Sequence, residues 1–204
     1  MENFLKLFNS GGLVMYPLLV LSFITLTIAV ERFFYYRGNQ SGAKAFFRGV
    51  DDAVRQKDWE GVQQLCEKFP SALSRIIANG LEYSGSESAM KSAFEDRMSM
   101  ESISFNRYLD YLSAIVTISP LLGLLGTVTG MIQTFSVLDS GGGAGAITGG
   151  VGEALVATAA GLCVAIIAFC FYTYFSHQLD SMVTDAERLC SMVLGAKKES
   201  WDEA

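Results

Sequence analysis

The chain has 204 residues, half of them hydrophobic, a mean hydropathy of +0.32 and a formal net charge of −6. An acidic chain with pI near 4.8 lacks the basic face that phosphate binding needs, which argues against nucleic acid as a partner. Its apolar residues are pooled into three uncharged runs, Leu13–Val30, Tyr111–Leu138 and Ala154–Ser176, rather than spread as in a water-soluble core, so a soluble enzyme is excluded.

Each run meets or approaches the roughly 20 apolar residues that cross a bilayer. The predicted organisation is an N-terminal segment with the first span (1–37), a helical domain (38–110), a second span (111–138), a Gly-rich loop (139–148), a third span (149–177) and a C-terminal helix (178–204). The first run has only Lys6 before it, lacks an A-x-A-like cleavage site and ends in "ERFFYYR", so it reads as a retained span and not a signal peptide. The arginines and rings of that ending suit an anchor at a membrane face.

Gly38–Asp110 carries nine Lys and Arg, whereas "DSGGGAGAITGG" carries none. Positive charge marks the cytoplasmic side, so the expected orientation puts the N-terminus outside and the C-terminus inside. Within 38–110, "AKAFFRGVDDAVRQKD" sets Ala43, Phe46, Phe47, Val50 and Val54 on one helical face. Asp58 reads as an N-cap of the helix that stops before Pro70, and "SALSRIIANGLEYSG" ends in Gly. The stretch from Ser86 to Ile115 has no Gly or Pro and predicts one long helix running into the second span. The scattered acids suit solvated helix faces. Cys66, Cys163, Cys170 and Cys190 have no metal-ligand or redox spacing and read as reduced packing residues. His177 reads as an interfacial polar residue, and no protease, hydrolase or nucleotide-loop signature is present, so the chain is expected not to be an enzyme and to need no cofactor or metal.

In "SPLLGLLGTVTGMIQTF", Gly123, Thr127, Gly130 and Thr134 fall on one helical stripe, and Gly126 with Gly130 forms a GxxxG. Lipid gives helices no hydrophobic reason to associate, so small residues at this spacing mark a close helix–helix contact. Thr127 also has an ordinary structural use, a hydroxyl bonded to the carbonyl one turn earlier. In the third span Ala154, Thr158, Gly161 and Ala165 form a matching stripe, and Glu153 lies near its outer end. If the helix starts near Ala146, Glu153 is carried about 11 Å inward. A charge at the bilayer centre costs roughly 2.5–3.5 kcal/mol, so an intramembrane carboxylate points to function; at the headgroups it would only favour the helix dipole.

"PLLGLLGTVTGM" (Pro120–Met131) and "GVGEALVATAAGL" (Gly150–Leu162) resemble the paired signatures of the MotA/TolQ/ExbB proton-channel family. "GGLVMYPLLVLS…ERFFYYR" and the helix pair around Asp58–Trp59 and Leu65–Cys66 are similar too, and the ExbB-like branch is the nearest. Ile167 stands where many relatives carry proline. The resemblance implies an all-α integral membrane protein with long cytoplasmic helical extensions, assembled as a pentamer around a dimer of a single-span ExbD/TolR-like partner. It implies a place in the bacterial inner membrane, where the complex turns proton-motive force into mechanical work for outer-membrane transport, with a TonB-like protein as a further partner. Thr127, Glu153 and Thr158 match the pore residues of that branch, and Gly123, Gly126, Gly130 and Gly161 fall to helix packing. The other readings are a non-conducting scaffold that clamps a partner helix, a small-molecule transporter, whose usual internal repeat is missing here, and a TolQ- or flagellar-stator-type role in the same family.

Overall fold

The computed structural model describes residues 11–40, 42–139 and 144–202, which hold helices and turns and no strand. In chain order the helices are α1 (Met15–Gln40), α2 (Ala43–Arg55), α3 (Trp59–Lys68), α4 (Ala72–Glu82), α5 (Glu87–Asn106), α6 (Leu109–Asp139) and α7 (Ala144–Asp202). Three helical stretches are long and apolar enough to cross a membrane. Residues 144–148, at the end of the stretch read as a Gly-rich loop, are helical; 140–143 lie outside the described residues.

The chain divides into two compact units. The first contains residues 11–30 and 108–174, and thus the N-terminal parts of α1 and α7 with all of α6. Its buried face on α6 is Leu112, Ile115, Ser119, Gly123, Gly126, Gly130 and Thr134. That face repeats every eleven residues, from Leu112 through Gly123 to Thr134, close to the period of a straight helix. On α7 the buried residues are Ala154, Ala157, Gly161, Ala165 and Ala168. The two backbones nearly touch: a Cβ on Gly161 would lie 2.5 Å from the Ser119 carbonyl oxygen and 3.1 Å from the Gly123 Cα. Threonine hydroxyls in this unit bond to backbone carbonyls, as Thr25 does to Leu21 at 2.8 Å and Thr134 to Gly130 at 2.8 Å. Such a bond hides the polar group from lipid. The buried Ser119 hydroxyl has no hydrogen-bond partner among the described residues.

The second unit contains residues 31–107 and 175–202. Its core is made of large side chains: Phe46, Val50 and Val54 on α2, Val62 on α3, Ile76 and Ile77 on α4, Met90 and Phe94 on α5. Three of its helix starts are capped by side chains, Asp58 to the Gly61 N–H at 2.9 Å, Ser86 to the Ala89 N–H at 3.2 Å, and Ser71 with Ser74 in a reciprocal capping box, whereas α2 starts after Gly42 without one. Each cap satisfies an N–H that the helix leaves open. Cys66 is buried here, and that burial pushes its thiol up to about 11. Glu101, only 5 % exposed, accepts from Arg75 at 2.6 Å and is ion-paired with Arg97 at 2.8 Å. The Glu101 hydrogen bonds hold the Arg75 guanidinium above its usual range. The end of α7 is tied in by Trp201, whose indole donates to the Ser84 carbonyl at 3.1 Å, and by Lys198 on Glu87 at 3.1 Å.

The single long helix expected from Ser86 into the second span is broken. α5 ends at Asn106, and Tyr108 takes a left-handed φ of 70° before α6 begins. A non-glycine residue there costs about 1–2 kcal/mol, and the last carbonyls of α5 lose their intrahelical donors. Arg32 supplies replacements: its guanidinium donates to the Ser104 carbonyl at 2.9 Å and the Phe105 carbonyl at 3.4 Å. The Tyr36 hydroxyl donates to Phe105 at 3.0 Å. Glu31 holds the other edge of the guanidinium through two bonds, of 2.5 and 2.8 Å, and Arg32 is 2 % exposed. Charge-assisted bonds contribute about 1.5–3 kcal/mol each, enough to offset the strain.

Candidate functional site

Glu153 lies in the third turn of α7, which begins at Ala144 and carries no other Asp, Glu, Lys or Arg before Asp180. The side chain is half-buried and lines a cavity of about 260 Å³ inside the first unit. The other walls are the Gly11–Val14 turn that leads into α1 and the α6 residues Leu125, Gly126, Thr129, Gly130 and Gln133. Gly12 has a φ of +68°, a conformation that suits glycine, and a Cβ there would fall 2.8 Å from the Glu153 Oε1. The carboxyl therefore rests against the backbone of the turn.

Thr127 and Thr158, grouped with Glu153 by the sequence reading, lie elsewhere; neither lines this cavity. Thr158 sits half-buried on the α6–α7 contact and donates to the Gly123 carbonyl at 3.0 Å, with Ala154 at 3.4 Å as a second acceptor. Thr127 is also half-buried, and its hydroxyl bonds to the Leu124 carbonyl at 2.7 Å. The buried stripe on α6 runs Gly123, Gly126, Gly130 and Thr134, so Gly126 takes the place that spacing alone had given to Thr127. From Gly123, steps of three and four residues lie almost equally near the same face, and the narrower residue faces the neighbouring backbone. The glycines sit at the tightest approaches: added Cβ atoms would be 3.0 Å from the Thr158 Cα at Gly123, 2.5 Å from the Ala157 Cβ at Gly126 and 3.0 Å from the Ala154 Cβ at Gly130.

Sequence reasoning missed Gly12, Thr129 and Gln133. Gln133 carried a usable signal, since it is the only side-chain amide in the Tyr111–Leu138 run. An amide in an apolar span needs protein or water to bond with. Among the described residues no group of three or more His, Cys, Asp or Glu is placed to hold a metal ion. Chemically, the site offers one titratable carboxyl beside a neutral amide and a hydroxyl in apolar surroundings.

A profile of the MotA/TolQ/ExbB proton channel family matches residues 68–188. ExbB-like protein 1 of Synechocystis sp. is 37% identical over 175 residues, 82% of this chain and 67% of the relative. The biopolymer transport protein exbB1 of Vibrio cholerae is 31% identical over 176 residues, 81% of this chain and 76% of the relative. An ExbB homolog of Methanothermobacter thermautotrophicus is 26% identical over 190 residues, 92% of this chain and 68% of the relative. The chain belongs to the MotA/TolQ/ExbB proton channel family, in its ExbB-like branch, and is a multi-pass membrane protein.

Proposed function

We propose that this chain is the multi-copy, proton-conducting subunit of an energy-transducing complex, and not an enzyme. It assembles as a pentamer around a dimer of a single-span ExbD/TolR-like protein in the bacterial inner membrane, N-terminus periplasmic and C-terminus cytoplasmic. Proton-motive force is converted there into mechanical work for transport at the outer membrane, with a TonB-like protein downstream. The observation that carries this reading is Glu153, a lone carboxyl in the third turn of an otherwise uncharged span, lining a cavity. Such a group is expensive in a membrane and stands there for ion handling. No Lys or Arg lies in any of the three apolar runs, so a proton route needs a second titrating group from another chain, and a partner's membrane acid fills that gap. Thr127 and Thr158 add hydroxyls along the α6–α7 pair without adding charge.

The test is proton flux into liposomes that contain the purified complex with its coexpressed single-span partner. Flux should be present, and Glu153→Ala should lower it at least about tenfold, the effect of losing one group that acts in the rate-limiting barrier, with insertion and assembly unchanged. Native mass spectrometry should show a pentamer with partner bound. A complex that assembles but conducts no protons would replace this reading with that of a scaffold clamping a partner helix.

A further inference from the structure

The carboxyl of Glu153 lies beside residues of its own subunit that neither the motif nor the small-residue stripe marks. The three atoms nearest to a Cβ built on Gly12 all belong to Glu153: Oε1 at 2.8 Å, Cδ at 3.6 Å and Cγ at 3.8 Å. The backbone of Gly12 at φ +68° thus makes room for this one side chain. Among the described residues, the side chains with polar atoms that line the cavity are the exposed Thr129 and Gln133 and the half-buried Glu153. The Thr129 hydroxyl donates its proton to the Leu125 and Gly126 carbonyls at 3.0 and 3.1 Å, so toward the cavity it offers lone pairs. Gln133 offers both N–H donors and a carbonyl acceptor. A carboxylate needs donors and a carboxylic acid needs one acceptor. The pair can serve both protonation states, and a cavity of about 260 Å³ has ample room for water.

We infer that Gly12, Thr129 and Gln133 form an intrasubunit seat that positions the Glu153 carboxyl, which makes the N-terminal turn of the first helix part of the ion path. These are positioning residues, acting through Glu153. The functional half of the inference rests on the proton-conducting reading above, while the seat rests on geometry alone.

The position is tested by a Gly12→Cys, Glu153→Cys pair in the full-length chain with Cys66, Cys163, Cys170 and Cys190 replaced by Ser. The Glu153 Cγ, whose place a cysteine sulfur would take, lies 3.8 Å from a Cβ built on Gly12. A small shift brings the pair to the Cβ separation of about 3.5–4.5 Å that a disulfide needs, so oxidation should close a bridge within one copy, while Gly12→Cys with Phe169→Cys should not bridge. No bridge, or a bridge only between copies, overturns the seat. Backbone strain is separated from loss of the seat by a double-mutant cycle of Gly12→Ala with Glu153→Asp, read as the melting temperature of the solubilised complex. A methyl on Gly12 should displace the longer acid and lower the midpoint by about 2–4 °C. In the Glu153→Asp background the same change should cost clearly less, because the shorter acid vacates the space. Equal losses would mean strain at a left-handed residue and nothing more. In liposomes Gln133→Leu should lower proton flux several-fold, with Gln133→Asn retaining part of it. If the wild-type complex conducts nothing, the proton reading fails while the bridge and the cycle still decide the seat.

Discussion

Along α7 the buried positions of the first unit are Ala154, Ala157, Gly161, Ala165 and Ala168, whereas in the second unit they are Phe175, Met182, Ala186, Leu189, Cys190 and Val193. Both sets keep the three- and four-residue steps of one helical face, but one continuous helix changes the size of its buried residues, from Ala and Gly to mostly Phe, Met, Leu and Val. The difference follows from the solvent each part must exclude. In water, burying a large apolar side chain is itself the driving force, about 1.5–3 kcal/mol apiece. In lipid that drive vanishes, and helices gain only from close contact and backbone bonds, so the side chains shrink. Polar groups divide the same way. The first unit turns hydroxyls onto carbonyls, whereas the second buries a carboxylate under two arginines and caps a broken helix with a third.

The largest expected break of this contrast is Gly161→Leu. Its Cβ would press on the Ser119 carbonyl and the Gly123 backbone, neither of which is a flexible tip, so the cost should exceed about 3 kcal/mol, the upper end for overpacking. Little folded complex should survive detergent extraction; a normal yield and midpoint would show that α6 and α7 do not meet as described. Next is Arg32→Ala, which takes its donor from the Ser104 carbonyl and leaves the Phe105 carbonyl to Tyr36 alone. Each charge-assisted bond lost costs about 1.5–3 kcal/mol, and denaturant melts followed by hydrogen exchange should localise the loss to 100–108. Protection there equal to wild type would refute the capping role. Leu189→Ala, at a site with 0 % exposure, should cost about 2–5 kcal/mol by opening a cavity. That is the reverse of the first unit, where enlargement is the damaging change. Thr158→Val keeps the shape and removes only the bond to Gly123, so a loss of about 0.6 kcal/mol is expected, the mean for interhelical bonds in membranes. A much larger loss would show that hydroxyls, and not small residues, hold the first unit.

Composition and periodicity determined much of this protein by themselves. Three uncharged runs, the helical period of 38–110, the Asp58 cap and the small-residue motifs are local properties, because a helix closes its own hydrogen bonds and shows its faces every 3.6 residues. The paired motifs also carried the family. Tertiary structure decided what depends on residues far apart in the chain. No local signal marks a break at Tyr108, since its strain is offset by Arg32, 72 residues before Ser104. Periodicity put Thr127 and Gly126 beside the same stripe but could not choose between them; the neighbouring backbone did. Glu153 was conspicuous as a lone carboxyl, yet its seat against Gly12, Thr129 and Gln133 is visible only when three helical segments come together. Period states which residues share a face, and only packing states what that face meets.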